Sequence, residues 1–248
     1  MNCNVKSGAT LLAVFIGSAL AASQAFASNV TVSGNTETLT FGGQVNATGL
    51  STFFDGGSDA FGSAGGTANN VGVTFSAPAE FLNAGFNGTG FNGGNGKFEN
   101  VPSGAAGVLY FASVPTTATP ILDDASGFSG ISLNYSLLGN TAADGSTISL
   151  YSGLDGSGSL VGTLTLTAAG AAIPCTSPHD EFCTWSSTSN QALSGVAESA
   201  VFNGDARTFT EFDAVSLTAA PVPLPAAAWL LFSSVGGLAG FVRRRRAA

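Results

Sequence analysis

Two cysteines carry the clearest chemistry of this 248-residue chain. Cys175 and Cys183 bracket the segment Thr-Ser-Pro-His-Asp-Glu-Phe and would close a loop of nine residues. Outside the cytoplasm, two cysteines this close form a disulfide more often than a metal site, and such a bridge stabilises by about 2.5 kcal/mol in the chain-entropy model. The alternative is a metal site at the loop tip, where His179 is the single histidine of the chain. The spacing favours the disulfide.

Motifs for hydrolytic catalysis are missing from the sequence. No serine lies in a Gly-x-Ser-x-Gly turn, and a serine triad would have to use His179. A pair of catalytic carboxylates of the glycosidase type is an open alternative, because the chain has 15 Asp and Glu residues. Asp123 and Asp124 are neighbours and would point to opposite faces of a strand, so they do not form such a pair. We expect no enzymatic activity.

Several aspartates could instead hold a structural calcium ion, which prefers carboxylate and carbonyl oxygens from loops. Asp213, within Thr-Glu-Phe-Asp-Ala-Val-Ser-Leu, lies in a segment that resembles the final strand of many carbohydrate-binding jelly rolls. That resemblance implies a domain that a structural calcium ion could stabilise. We expect no other cofactor. The candidate calcium ligands are Asp55, Asp59, Asp123, Asp124 and Asp213.

Alternating apolar and polar residues predict that β-strands position these side chains. The segment Ile131–Leu137 places four apolar side chains on one face and Ser or Asn on the other. No segment between the two chain ends shows a sustained helical period. The expected fold is an all-β, jelly-roll-like β-sandwich over residues 28–220, with two antiparallel sheets face to face. The predicted strands are Val30–Val32, Leu39–Phe41, Val71–Phe75, Gly107–Ser113, Ile131–Leu137, Thr147–Tyr151, Leu160–Thr167, Ala192–Phe202 and Thr208–Thr218.

Charge is scarce and unevenly distributed. Charged residues make up 9% of the chain and the net charge is −8, with a pI near 4.3. This composition excludes a coiled coil and argues against nucleic-acid binding, because the domain would repel phosphates. The acidic residues all lie within 28–220, whereas both chain ends are basic and apolar. That pattern indicates export signals around a secreted domain.

The N-terminal residues 1–27 fit a secretory signal peptide. Lys6 precedes the apolar run Leu11–Ala22, and Ala25 and Ala27 provide a small-x-small cleavage site. The mature chain would then begin near Ser28, after passage through the Sec translocon and cleavage by signal peptidase. An uncleaved membrane anchor is the alternative, although the apolar run is short for a membrane span.

The C-terminal residues 221–248 contain a second apolar segment. Leu224–Val242 carries no charge, and its length as a helix, roughly 28 Å, matches the hydrocarbon thickness of a bilayer. Arg243, Arg244, Arg245 and Arg246 follow at once and would stop translocation on the cytoplasmic side. A buried core helix is the alternative, but such a helix does not end in four arginines. The sequence predicts one transmembrane helix with the acidic domain outside.

Five residues just before this span carry a family resemblance. The sequence Val222-Pro223-Leu224-Pro225-Ala226, followed by the apolar span and the arginine cluster, resembles the PEP-CTERM class of bacterial sorting signals in its VPLPA variant. The resemblance implies processing near this motif by an exosortase, an integral-membrane transpeptidase of Gram-negative bacteria that make exopolysaccharide. Pro223 and Pro225 also disfavour helix before them, which keeps the motif extended for an enzyme.

Together these features predict an exported, non-enzymatic protein. The precursor would be anchored in the inner membrane of a Gram-negative bacterium, and the processed protein would reach the cell surface or extracellular matrix, associated with exopolysaccharide or biofilm. The alternative is a secreted carbohydrate-binding, lectin-like module stabilised by calcium.

Overall fold

The computed structural model describes residues 29–43, 48–58, 69–76, 79–83, 97–104, 107–111, 119–141, 146–177, 180–207 and 210–221. These residues form twelve strands and four short 3-10 turns, at Phe53–Asp55, Leu138–Asn140, Leu154–Gly156 and Gly204–Arg207. Within these ranges no helix has the length and apolar character needed to cross a membrane. The strands are β1 Val30–Ser33, β2 Thr36–Leu39, β3 Thr48–Gly49, β4 Val73–Phe75, β5 Ala79–Asn83, β6 Gly107–Phe111, β7 Ile121–Leu137, β8 Thr147–Tyr151, β9 Leu160–Thr165, β10 Trp185–Ser187, β11 Gln191–Asn203 and β12 Thr210–Ala219.

Strand β7 organises the sheet. With 17 residues it is long enough to pair with different strands at its two ends, β4 and β11 near its start and β10 and β12 near its end. Strand β12 lies between β7 on one side and β2 and β6 on the other. The main path is β3-β5-β6-β12-β7-β11-β8-β9, and every strand pair is antiparallel.

Side-chain alternation gives each strand two distinct faces. In β6, Leu109 and Phe111 enter the main core, whereas Val108 and Tyr110 point to the opposite, outer face. Strands β5, β7 and β12 divide their side chains in the same way. Residues from almost every strand meet in one buried cluster, so the sheet curves around a single core.

Phenylalanine dominates this core. Most of its aromatic side chains are almost fully buried, and each buried ring removes apolar area worth roughly 1.5–3 kcal/mol from water. One group of rings packs at centroid distances of 5.0 to 6.3 Å, many of them edge to face. A second group joins β6, β11 and β12. The two groups are Phe41, Phe53, Phe54, Phe75 and Phe81, and Phe111, Phe202 and Phe212.

The prediction of an all-β antiparallel domain is confirmed, and most of the predicted strands are present. Because β7 pairs with four strands, the twelve described strands are joined by hydrogen bonds into one sheet, which curves around the core. The alternation pattern does not predict β3, β5 and β10, or the first half of β7. These segments are short or interrupted by glycine, so alternation is weak in them.

Candidate functional site

A row of directly opposed residues crosses the outer face of the sheet. Strand register places Glu80 of β5 opposite Tyr110 of β6, and Tyr110 opposite Glu211 of β12. The row continues through Ser136 of β7 to Trp185 of β10. Two carboxyl groups and two aromatic side chains therefore lie side by side across five strands.

Two loop segments cover this row. We refer to residues 97–104 and 173–184, of which 178 and 179 lie outside the described ranges, as the cap. The disulfide predicted between Cys175 and Cys183 is present in the cap, with Cα atoms 5.4 Å apart. The two segments meet at a parallel bridge between Phe98 and Phe182. The disulfide therefore fixes the loop that lies over the sheet.

A small apolar cluster holds the cap against the sheet. Phe98 and Phe182 come from the cap, and Leu82 and Val108 come from β5 and β6; all four are buried. The indole Nε1 of Trp185 donates to the carbonyl oxygen of Glu99 at 2.7 Å. The outer face thus has a second core, separate from the main one.

Glu99 fixes the disulfide loop by accepting several hydrogen bonds. Its carboxylate accepts from the backbone N–H of Thr176 at 3.0 Å, the Thr176 hydroxyl at 2.7 Å and the backbone N–H of Ser177 at 2.8 Å. The Thr176 backbone, then the Thr176 hydroxyl and the Ser177 backbone, lower the pKa of Glu99 to about 2. An ion pair of 2.9 Å between Lys97 and Glu181 adds a further link.

Glu211 lies beneath the cap in a very different environment. It is 1% exposed, and its Oε2 has no hydrogen-bond partner among the described residues. Burial raises the pKa of Glu211 well above its ordinary value, and the carboxylates of Asp180 and Glu181 raise it further. Burial also raises the pKa of Tyr110, with Glu211 contributing. The protonated form of Glu211 is therefore favoured in the folded protein.

A cavity of about 490 Å³ lies beside the disulfide. Apolar groups line one part of it, including Leu138 and Ile173, and the latter is half-exposed. Asp180 and Glu181 also line the cavity, on the cap side. A space with both apolar walls and hydrogen-bond acceptors is suited to a small polyhydroxylated or cationic group.

The four proposed calcium ligands that lie in the described ranges do not converge. Asp123 and Asp124 point to opposite sides of β7, as expected for neighbours in a strand: Asp123 accepts from the backbone N–H of Asp155 at 2.8 Å, and buried Asp124 accepts from that of Ser126 at 2.9 Å. Desolvation is the main cause that raises the pKa of both carboxyls. Across the described ranges, no three His, Cys, Asp or Glu side chains come close enough to hold a metal ion.

The other two described calcium candidates, Asp213 and Asp55, have different surroundings. Asp213 accepts from the backbone N–H of Ser103 at 2.9 Å and from its hydroxyl, so it anchors the cap to β12. Asp55 ends the 3-10 turn Phe53–Asp55. Asp59 lies outside the described residues.

The predicted export and sorting residues also lie outside the described ranges. They are the signal-peptide residues Ala25 and Ala27, the motif Val222, Pro223, Leu224, Pro225 and Ala226, and the cluster Arg243, Arg244, Arg245 and Arg246.

Sequence reasoning missed Glu211 and Glu99. Alternation within Thr208–Thr218 assigns Glu211 to the polar face of a strand, which is normally a solvent-facing position. Only the cap, which comes from two distant segments, makes that position buried. For Glu99 the available signal was its proximity to Lys97 in an otherwise uncharged region, but its partners Thr176 and Ser177 are far away in sequence.

Comparison with known proteins provides little further guidance. No protein-family model and no curated protein matches the chain. Among solved structures, the chain is similar to the K2 cleaved adhesin domain of Lys-gingipain, at 14% identity over 59% of this chain and 90% of that one, with a TM-score of 0.37. A similarity at this level carries no argument about function.

Proposed function

We propose that this chain is an exported, non-enzymatic protein of the cell surface or extracellular matrix of a Gram-negative bacterium, sorted by its C-terminal tail. The observation that carries the proposal is the order of three features: the motif Val222–Ala226, the uncharged span Leu224–Val242 and the cluster Arg243–Arg246. Sec-dependent export followed by cutting near the motif by an exosortase-type transpeptidase accounts for all three. An association with exopolysaccharide or biofilm completes the proposal.

The described domain is compatible with this destination. Its disulfide between Cys175 and Cys183 is of the kind that persists in oxidising compartments outside the cytoplasm. Its low charge and its abundance of Ser, Thr, Gly and Asn suit a structural surface protein more than a binding partner of nucleic acid. We propose a jelly-roll-like sandwich as the architecture of this domain.

Mass spectrometry of the protein released from the cell surface tests the sorting proposal. In a host with an active exosortase, we expect an N-terminus near Ser28 and a C-terminus at or near Val222–Ala226. The variant Pro223→Ala/Pro225→Ala keeps the span and the arginines and should retain the tail. A wild-type protein that reaches the surface with an intact C-terminus at Ala248 would contradict the proposal.

A second candidate function is a carbohydrate-binding module. The observation that favours it is the cavity of about 490 Å³ beside the disulfide, which is lined by apolar residues together with Asp180 and Glu181. A glycan array with the full chain, run with calcium and with a chelator, separates the two candidates. Saturable binding that the variant Asp180→Asn/Glu181→Gln abolishes would support the module, and calcium-dependent binding would add a structural ion. A matrix protein without lectin activity shows no saturable binding.

A further inference from the structure

Strand β9 lies at one end of the sheet. Among the described strands that pair with only one neighbour it is the longest, with six residues, and β8 is its neighbour. Alternate residues of an edge strand direct their backbone N–H and C=O groups away from the sheet, where another strand can bind them. Leu166, just after β9, donates to the carbonyl of Ser146 beside β8, so Thr163, Thr165 and Thr167 direct their backbone groups outward.

The sequence of β9 lacks the charged side chains and prolines that keep other strands away from an edge. Neither occurs in its six residues, and the chain has no Asp, Glu, Lys or Arg between Asp155 and Asp180. The exposed side chains of the strand are Leu160, Thr163 and Thr165. Two copies of this acidic domain can therefore bring their β9 edges together without electrostatic repulsion between the strands.

A tyrosine hydroxyl occupies the outward backbone groups of Thr167. Tyr135, a buried residue of β7, donates from its hydroxyl to the Thr167 carbonyl at 2.9 Å. The same oxygen accepts from the Thr167 backbone N–H at 3.0 Å. One side chain thus satisfies both the donor and the acceptor of a residue, as a residue of a neighbouring antiparallel strand would do.

An asparagine amide makes the same pair of contacts two residues further on. Asn140 ends the turn after β7; its Nδ2 donates to the Ala169 carbonyl at 3.2 Å, and its Oδ1 accepts from the Ala169 N–H at 2.9 Å. Asn140 has φ +54°, a left-handed conformation that asparagine adopts more readily than most residues. At the other end of β9, the carbonyl of the bulged residue Val161 accepts from the Ser194 hydroxyl at 2.9 Å.

We propose that Tyr135 and Asn140 are edge plugs, which prevent β9 from pairing with β9 of a second copy of this chain. Two identical edges pair antiparallel about a twofold axis, and that pairing needs the groups that the plugs occupy. Among the described contacts, only Thr163 and Thr165 keep outward backbone groups without a partner, which is too short a stretch for a stable strand pair. This property is independent of the proposed sorting and surface role.

Hydrogen exchange of the full chain in detergent, resolved to single amides, tests the plugs without any variant. The amides of Thr167 and Ala169 donate to the plugs, whereas those of Thr163 and Thr165 point outward. After correction for intrinsic rates, we expect the first two amides to exchange at least about tenfold more slowly than the second two. Equal exchange rates at all four amides would overturn the proposal.

Light scattering of the full chain in detergent measures the predicted effect on self-association. The variant Tyr135→Phe/Asn140→Gly removes both plugs, yet it keeps the aromatic ring in the core and suits the left-handed backbone at position 140. We expect its mass to rise with concentration to that of two or more copies, above the mass of the wild type at the same concentration. The matched control Tyr151→Phe removes a tyrosine hydroxyl from β8, on the face away from the main core, and should behave as wild type.

A charged residue on β9 locates the association at this edge. Thr165→Lys, added to the plug variant, should restore the wild-type mass, because a lysine on an edge strand opposes pairing. Thr31→Lys, on the exposed strand β1, should not restore it. A plug variant with the wild-type mass would overturn the proposal, as would an association that Thr165→Lys leaves unchanged. If the plug variant does not fold, the exchange pattern of the wild type decides the question alone.

Discussion

At the scale of single residues, Glu99 within the cap and Glu211 beneath it have opposite electrostatic environments. Glu99 is surrounded by hydrogen-bond donors, so its charged form is favoured. Glu211 is surrounded by apolar and acidic groups, so its neutral form is favoured. The difference arises from the partners that each carboxyl group meets, because the two residues have the same intrinsic chemistry.

The first prediction concerns Glu99. We expect Glu99→Gln to weaken attachment of the disulfide loop above about pH 5, because glutamine loses the charge-assisted acceptor for Thr176 and Ser177. The pKa of Glu99 is lowered, to about 2, so its contribution is present above the ordinary carboxyl pKa and disappears as the pH falls through about 2. Urea midpoints of wild type and variant should therefore converge at low pH. A constant difference down to about pH 2 would contradict this assignment.

At the scale of elements, β7 depends on a glycine to change direction. Gly127 has φ +74°, and it lies where the register between β7 and its neighbours β11 and β12 shifts. A Cβ at this position would lie 2.6 Å from Cγ1 of Val196. Position 127 thus requires both a left-handed backbone and close approach of a neighbouring strand.

The second prediction separates these two requirements. Gly139→Ala is the matched control, because Gly139 also has a positive φ, +59°, but nothing lies within 4 Å of a Cβ there. We expect Gly139→Ala to cost about 1 kcal/mol of unfolding free energy, from backbone strain alone. Gly127→Ala should cost about 1–3 kcal/mol more, from steric overlap with Val196. Equal losses in urea unfolding would show that the contact with Val196 relaxes freely.

At the scale of the whole molecule, stability is concentrated in the phenylalanine core. Phe54 is fully buried and lies next to Phe41, Phe53, Phe75 and Phe81. Its side chain comes from a 3-10 turn and not from a strand, so the core also holds this turn in place. Most phenylalanines of the described residues therefore fill the core of one curved sheet.

The third prediction tests how much the phenylalanine core contributes to the stability of the fold. We expect Phe54→Ala to reduce the unfolding free energy by about 3–5 kcal/mol, through lost burial and the cavity that remains. Val32→Ala is the control, because Val32 of β1 is 61% exposed and its truncation should change stability by less than about 0.5 kcal/mol. Thermal unfolding of both variants measures the difference. A loss at Phe54 as small as that at Val32 would indicate that the turn repacks.

Alternation in the sequence was sufficient to predict most of the strands but not the surface that covers them. Alternation correctly places Leu133, Tyr135 and Leu137 on the core side of β7, because each strand encodes its own period. The disulfide follows from a spacing of two cysteines within one loop. The cap cannot be predicted in this way, because it joins residues 97–104 to residues 173–184. Nothing within either segment specifies the other. The same limit applies to the burial of Glu211 and to the merging of all strands into one sheet.

The position of β12 has a consequence for the order of folding. The most C-terminal of the described strands lies in the middle of the sheet, with β7 on one edge and β2 and β6 on the other. Thr38 of β2 and Ser216 of β12 are joined by their hydroxyl groups at 2.8 Å across almost the whole described chain. The central pairings therefore form only after residues up to Ala219 are available, and loop closure over such distances is slow. A chain that emerges gradually from its N-terminus therefore leaves this sheet incomplete until β12 arrives.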